Sequence, residues 1–598
     1  MSFPNIADVT VDQNSIEIPT SEPFSLNKKD VGEKTSSGLF TIIPEELRKQ
    51  LNDLYFKNEY SQLLELLEYV IPKCVDDYEF FFLAGSCCKH LNKLKEAMSY
   101  FQKALEIEPY NYAVNLEVAK LFKKAELFEL AEKTFCVCSD LDPTRIEPLL
   151  ERGKLLYEDK KFFAANTLLK KVIALQPEHE IAWDYVIRCN IELADYRTAH
   201  EIIKKRLSQK VISRKAFLQL NHANLLTTSC ELGLMSTLDD SIKHVEEYIA
   251  TSNDSLVEVA EPRFNLSTTY LRIGSTEKGW EHYFHRFDKI NFPSPRRQFM
   301  KPRVTDISSI KNKRVLLWRE QGVGDEIMAY GLLEKFINQT GSNVIVEADE
   351  RLVECINRSI PNVSARPCNF DLQTLYSPLE DFDFHMPLMD ILVFLNIDKT
   401  VQTWIEPWMR FDNIEAEIWK DKIASKGLKI GFAFNSHHQT PKRIKHKHLE
   451  LSFFENLIND SDNTWVNLDY TFTDEMKKSL KREVSEKVYF PDLDLKKDLR
   501  QTATLLSTLD VLISPYMAVR ALAGAVGLPS ISFVRGTPHH FDLGTSLDEQ
   551  DIFCSPMIPL SKAMQFKDEM DNFQFESELS NFFQSQIHEL EKQKNIKK

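Results

Sequence analysis

Arg314-Val315-Leu316-Leu317-Trp318-Arg319-Glu320-Gln321-Gly322-Val323-Gly324-Asp325-Glu326-Ile327-Met328 divides the chain into two kinds of sequence. Its apolar run follows the basic Lys311-Asn312-Lys313 and reads as a buried parallel strand. A polar turn with two glycines comes next, then an apolar-periodic segment from Ile327 to Ile337 that reads as a helix. Strand, glycine turn and helix together aim backbone N–H groups and a helix N-terminus at an anion. Asp325 falls at the mouth of that turn, where open α/β sheets bind ligands, with Gly322, Gly324 and Glu326 beside it. The third glycine of a dinucleotide fingerprint is missing. The plain alternative is therefore a tight turn with Asp325 as the helix N-cap.

Upstream, the sequence repeats. Pro109, Pro143 and Pro177 stand 34 residues apart, and Ala97, Ala131, Ala165 and Ala199 keep the same interval. Phe101 and Phe135 share a register continued by Leu169 and Ile203, and Gly85 and Gly153 share a phase. This pattern resembles tetratricopeptide repeats. Small residues let paired helices approach, large ones fill the layer between pairs, and the proline ends the second helix. A weaker unit spans about Ile43 to Asp76, and helix pairs continue from Lys215 to Ala250. In the last unit Trp280, Tyr283 and Phe287 lie on one helical face, which reads as a cap sealing the end of the helical array. Such arrays commonly bind peptides, so the repeats imply a protein partner.

Downstream, strands alternate with helices, the pattern of parallel sheets. Asn343 to Glu347 reads as a strand, and the first half ends near Pro407-Trp408. Leu428 to Phe434 opens a second half and runs into Asn435 and a basic loop with Lys442, Arg443 and Lys445. Asp510-Val511-Leu512-Ile513 reads as a strand. A helix from Tyr516 to Val526 follows, with Ser514 as N-cap, Pro515 at its first position and Gly527 at its end. Residues 1–40 read as a disordered leader, 41–290 as the repeats, 291–312 as a proline-broken linker, and 313–410 and 411–598 as the two α/β halves. The lysine-rich end, Lys592 to Lys598, is expected to fray.

The net charge of −15 argues against generic nucleic-acid or anionic-membrane binding. There is no signal-peptide pattern, and no apolar run approaches the length of a membrane span. Ten scattered cysteines without zinc-ligand spacing read as packed, reduced thiols. A cytoplasmic location and no metal or cofactor are expected.

Leu317-Trp318-Arg319-Glu320-Gln321-Gly322-Val323-Gly324-Asp325-Glu326-Ile327-Met328 closely resembles the hallmark of bacterial proteins joining tetratricopeptide repeats to a heptosyltransferase-like glycosyltransferase domain. Gly279-Trp280-Glu281-His282-Tyr283 resembles the helix preceding it in them. Asp510-Val511-Leu512-Ile513-Ser514, with Ala518 and Leu522 to Pro529, resembles their nucleotide-site segment. The resemblance covers about Ile43 to Val534. It implies an α-solenoid followed by a GT-B fold, two Rossmann-like halves with the donor nucleotide mainly on the second.

Carried over, Asp325 matches the aspartate that deprotonates the acceptor hydroxyl. Asn435, Lys442, Arg443 and Lys445 lie where such proteins hold donor phosphates, and Ser514, Tyr516, Met517 and Ala518 lie at the donor site. Where the family usually has Asp-Thr-Ala, this chain has Tyr516-Met517-Ala518. Where it usually has a histidine, this chain has Ala521. Arg520 is the candidate replacement ligand for phosphate; a surface arginine is the alternative. His539 and His540, in the loop after the next strand, read as solvent-facing. The expected function is sugar transfer from a nucleotide-activated donor to a protein acceptor selected by the repeats. The alternative is a non-catalytic repeat scaffold with a degenerate transferase domain.

Overall fold

A computed structural model describes residues 45–73, 76–209, 215–252, 256–289, 292–294, 297–368, 381–398, 405–425, 427–435, 449–459, 461–535, 539–543, 552–553, 561–566 and 570–597. The expected leader and the basic loop with Lys442, Arg443 and Lys445 lie outside them. A long run of helices is followed by a region of parallel sheets. The chain forms two compact units, Met1–Cys189 and Asn190–Lys598.

The first unit is built of helix pairs: α1 (Glu45–Phe56) with α2 (Tyr60–Val70), α3 (Tyr78–His90) with α4 (Leu94–Ile107), α5 (Tyr112–Lys124) with α6 (Phe128–Leu141), and α7 (Ile146–Glu158) with α8 (Phe162–Leu175). Asp77 and Asn111 cap α3 and α5 through backbone N–H groups of the first turn. Pro109, Pro143 and Pro177 each follow the second helix of a pair. The small residues sit where two helices press together. A Cβ on Gly85 would come within 2.7 Å of the Phe101 ring, and one on Gly153 within 2.7 Å of the Leu169 side chain. Ala97, Ala131 and Ala165 are fully buried. Ala131→Leu is therefore expected to overpack its layer and destabilise the unit by roughly 1–3 kcal/mol, read by urea unfolding. A change of a few tenths would show that the layer has room.

The turn inside each pair passes through a left-handed residue. Asn58, Asn92, Glu126 and Lys160, with φ of 60, 59, 59 and 59°, stand at the 34-residue interval.

The second unit continues with α10 (Tyr196–Ser208), α11 (Lys215–Glu231), α12 (Met235–Thr251), α13 (Leu256–Arg272) and α14 (Thr276–Tyr283), after α9 (Glu180–Glu192), which spans the boundary. Two sheets follow. The first has the order β3-β2-β1-β4, all parallel, from β1 (Arg314–Trp318), β2 (Asn343–Ala348), β3 (Val363–Pro367) and β4 (Phe384–Pro387). The second has the order β10-β11-β9-β8-β5-β6-β7. Its strands are β5 (Lys429–Phe432), β6 (Thr464–Asn467), β7 (Val488–Tyr489), β8 (Val511–Ile513), β9 (Ser530–Arg535), β10 (Ile552–Phe553) and β11 (Ser561–Phe566). Only β10 runs antiparallel. The order reverses at β1/β4 in one sheet and at β5/β8 in the other, and ligands of open sheets sit beyond the strand ends at such points. The segments after β1, β5 and β8 are those singled out from the sequence. Among the described residues no helix is long and apolar enough to cross a membrane.

Several expectations are corrected. The helix expected over Ile327 to Ile337 is two helices, α15 (Val323–Tyr330) and Leu333–Thr340. They part at Gly331, where a Cβ would strike Ile405 and Trp408. The helix after β8 begins at Ala518 with Met517 as N-cap, and the Ser514 hydroxyl donates to the Pro515 carbonyl at 2.8 Å. Gly527 ends it in the left-handed region as expected, φ 79°. The lysine-rich end, expected to fray, is part of the helix Asn572–Lys597. Its Phe575, Leu579, Phe582 and Phe583 join the core around β5 and β6, and Lys594 Nζ donates to Asp510 Oδ2 at 2.7 Å.

Candidate functional site

The turn after β1 is held from several sides. Gln321, not a glycine, takes the left-handed conformation, with φ 62°. For a residue with a side chain this costs on the order of 1–2 kcal/mol and persists only where surrounding contacts fix it. Gln321 N–H donates to the Ser294 hydroxyl at 2.6 Å, and its Nε2 donates to the Tyr283 hydroxyl. The neighbouring Glu320 is fully buried, with Arg286 bound across both of its carboxylate oxygens and Met389 N–H donating to Oε1 at 2.8 Å. Arg286 also donates to Asp390 at 2.8 Å, and Arg303 donates to the other Asp390 oxygen at 2.8 Å. Burial pushes the Glu320 carboxyl up, against the pull of Arg286.

The glycines serve close approach. Gly322 is the exposed N-cap of α15, with φ −91°. Asp325 is therefore not the N-cap. It is the third helical residue, and its Oδ2 accepts from Gly322 N–H at 3.1 Å. A Cβ on Gly324 would stand 3.3 Å from the Cα of Ala518. The first turn of α15 thus lies against the first turn of Ala518–Val526, and two helix N-termini converge from the two sheets. Positive helix ends favour an anion there.

Most polar side chains of the motif point inward. Arg319 Nη2 stands 2.7 Å from Glu326 Oε1, off the line of a hydrogen bond, and 3.2 Å from Asp349 Oδ2. Glu326, fully buried, accepts from the Tyr330 hydroxyl at 2.9 Å and from Asp349 N–H at 3.0 Å. Burial lifts its carboxyl to about 7 against the pull of Arg319. Its place is inside the fold. Asp325 is half-buried, the one carboxylate of the motif at the converging helix ends.

On the second sheet, Ser514 is buried, and Tyr516, Met517 and Ala518 are half-buried at the helix start. Arg520 is 1% exposed, so it is not a surface arginine. Its guanidinium carbon lies 3.8 Å from the centre of the Tyr516 ring. None of its three nitrogens has a hydrogen-bond partner among the described residues. Asn435, after β5, donates its backbone N–H to Asp469 Oδ2 at 2.7 Å. His539 and His540 are half-buried, with the His540 ring 6.1 Å from that of Tyr283.

The structure also extends the expected role of α14. Trp280 and Tyr283 face the α/β region as well as α13, where Tyr283 lies 6.2 Å from the Phe264 ring. They are buried in the core of the α/β region, where Trp280 Nε1 donates to the Ile397 carbonyl at 2.6 Å and Phe541 lies within 6.3 Å of both rings. Tyr283, Arg286, Ser294 and Asp390 were not legible as neighbours of the glycine turn. Ser294 lies in the proline-broken segment read as a linker, and nothing local in the sequence marks Arg286.

A tetratricopeptide-repeat family model matches residues 78–111, which hold α3 and α4. Protein FlbA of Caulobacter vibrioides is 24% identical over 465 residues, covering 74% of this chain and 75% of that protein. Among solved structures, a tetratricopeptide repeat protein from Parabacteroides merdae covers 40% of this chain and 90% of its own, at 18% identity and TM-score 0.32. MamA of Desulfovibrio magneticus covers 28% and 94%, at 17% identity and TM-score 0.26. The matched tetratricopeptide repeat and the helix pairs around it precede a region of parallel sheets.

Proposed function

We propose that this protein is a glycosyltransferase of GT-B type that moves a sugar from a nucleotide-activated donor to a protein acceptor selected by its repeats. The observation that carries the reading is the meeting of two helix starts, one bearing Asp325 and the other the buried Arg520, whose guanidinium has no hydrogen-bond partner among the described residues. Asp325 takes the proton of the acceptor hydroxyl as its oxygen bonds to the anomeric carbon. The bond from that carbon to the donor phosphate breaks, and the charge left on the phosphate is met by Arg520 and the helix N-terminus. Burying a guanidinium without hydrogen-bond acceptors is unfavourable even on an aromatic ring, and an anion offsets the cost. The FlbA likeness supports a shared plan across the chain, since it is longer than either unit. Tetratricopeptide repeats typically mediate protein–protein contacts, which suits a protein acceptor.

Thermal shift with UDP, GDP, ADP and CDP against the matching nucleosides tests the donor site. At least one diphosphate is expected to stabilise the protein by about 2.7 kcal/mol at a hundredfold excess over its Kd, and to raise Tm more than its nucleoside does at the same concentration. Arg520→Met is expected to remove that increment while the free protein stays folded, because methionine fills much of the space of a side chain that makes no hydrogen bond among the described residues and forgoes only its stacking on Tyr516. Equal shifts for diphosphate and nucleoside, or an increment that survives Arg520→Met, would exclude Arg520 as the phosphate ligand. A non-catalytic scaffold is the second reading. The Asp325 bond to Gly322 N–H, a capping role that needs no reaction, favours it.

A further inference from the structure

The strained turn in front of Asp325 is fixed by residues from outside the sheet that carries it. Gln321 holds its left-handed backbone between the Ser294 hydroxyl at its N–H and the Tyr283 hydroxyl at its side chain. Glu320, one residue earlier, is clasped by Arg286. Tyr283 ends α14, and Arg286 lies in the single helical turn Arg286–Asp288 just after it. The Tyr283 ring is itself fixed. It is fully buried, edge-on to Trp280 at 5.7 Å and to Phe541 at 5.9 Å, with the Arg286 guanidinium 4.7 Å from its centre. Asp325 lies close enough that its charge adds to the upward push of burial on the Tyr283 hydroxyl. Helix α14 packs in turn on α13: a Cβ on Gly279 would strike Leu271, and the Ser267 hydroxyl donates to the Gly279 carbonyl at 3.0 Å. A continuous set of packed and hydrogen-bonded groups therefore runs from α13 through α14 to the turn.

We infer that Tyr283 and Arg286 are positioning residues for Asp325, so that the helices ahead of the α/β region set the geometry of the reacting carboxylate. The inference rests on the reading of Asp325 as the proton acceptor.

Tyr283→Phe in the full chain tests it, because the ring and its packing stay while the hydroxyl that receives Gln321 is lost. Amide hydrogen exchange over Arg319–Met328 is expected to quicken severalfold, with exchange over α1 to α8 unchanged. Unchanged exchange over Arg319–Met328 would overturn the inference, and this readout needs no substrate. In a transfer assay with the donor found by thermal shift, kcat is expected to fall about tenfold at unchanged donor KM. In the Asp325→Asn background the same change is expected to have no further effect, because both act through one group. An equal loss in both backgrounds would show that Tyr283 acts elsewhere and would overturn the inference. If Asp325→Asn leaves transfer intact, the functional reading itself fails. If Asp325→Asn is impaired while Tyr283→Phe is not, only the positioning role fails.

Discussion

Asp325→Asn is expected to lower sugar transfer by roughly 10²- to 10⁴-fold while donor Kd stays unchanged. The asparagine keeps the shape of the side chain and an oxygen able to accept from Gly322 N–H, as Asp325 Oδ2 does at 3.1 Å. What it loses is basicity. The first turn of α15 should stay formed, and stability should change by only a few tenths of a kcal/mol, since capping is preserved. Asp325→Ala removes the capping arm and a negative charge near the helix N-terminus, and should cost about 0.5–1 kcal/mol. The two substitutions thus separate chemistry from capping. The measurement is transfer to the native acceptor by wild type and Asp325→Asn, with Tm recorded for each. Equal transfer by both proteins excludes Asp325 as the base. If no donor that binds wild type is transferred, the scaffold reading is the one left standing.

How far the sequence foretold this site depends on whether the cause of each feature is local. The 34-residue interval of Ala97, Ala131 and Ala165 was legible because burial against a neighbouring helix admits only small side chains there. The equally regular left-handed positions were not. Asn58 and Asn92 suit that conformation, but Glu126 and Lys160 adopt it because the pairing of flanking helices overrides their preference. The same override put the strained position after β1 on Gln321, while Gly322 and Gly324, the residues that looked responsible, provide room. The strand–turn–helix units and their loops at the switch points were readable from the alternation of apolar runs. Arg286, Glu320 and Asp390 were not readable as a cluster, since they lie 34 and 104 residues apart and each charge alone reads as solvated. The terminal helix Asn572–Lys597 did leave a signal in Phe575, Leu579, Phe582 and Phe583, spaced four, three and one apart. The lysines at its end are polar on every face and hide that spacing only beyond the buried residues.

Arg286→Met is expected to destabilise the second unit by about 3–5 kcal/mol, the usual effect of removing one partner from a buried ion cluster. The cluster is balanced, with Arg286 and Arg303 against Glu320 and Asp390. Methionine fills much of the space but leaves Glu320 fully buried, with only Met389 N–H as a remaining donor among the bonds described above. The penalty carries a pH signature. Burial already raises the Glu320 carboxyl above its ordinary value while Arg286 pulls it down, so removing Arg286 raises it further. A carboxyl whose pKa is higher in the folded than in the unfolded state binds more protons when folded. Its contribution to stability therefore falls as pH rises through the interval between the two values. The deficit of Arg286→Met relative to wild type should be largest at alkaline pH and shrink on acidification, as Glu320 takes up a proton and needs no cation. Urea unfolding of both proteins from alkaline to acidic pH, followed by tryptophan emission, measures the difference directly, and general acid destabilisation cancels between them. Arg286→Met combined with Glu320→Gln should recover part of the loss at neutral pH, because the stranded charge is gone. A deficit independent of pH, or no recovery in the double variant, would show that the loss comes from packing around Tyr283 and Phe287 rather than from an uncompensated carboxylate.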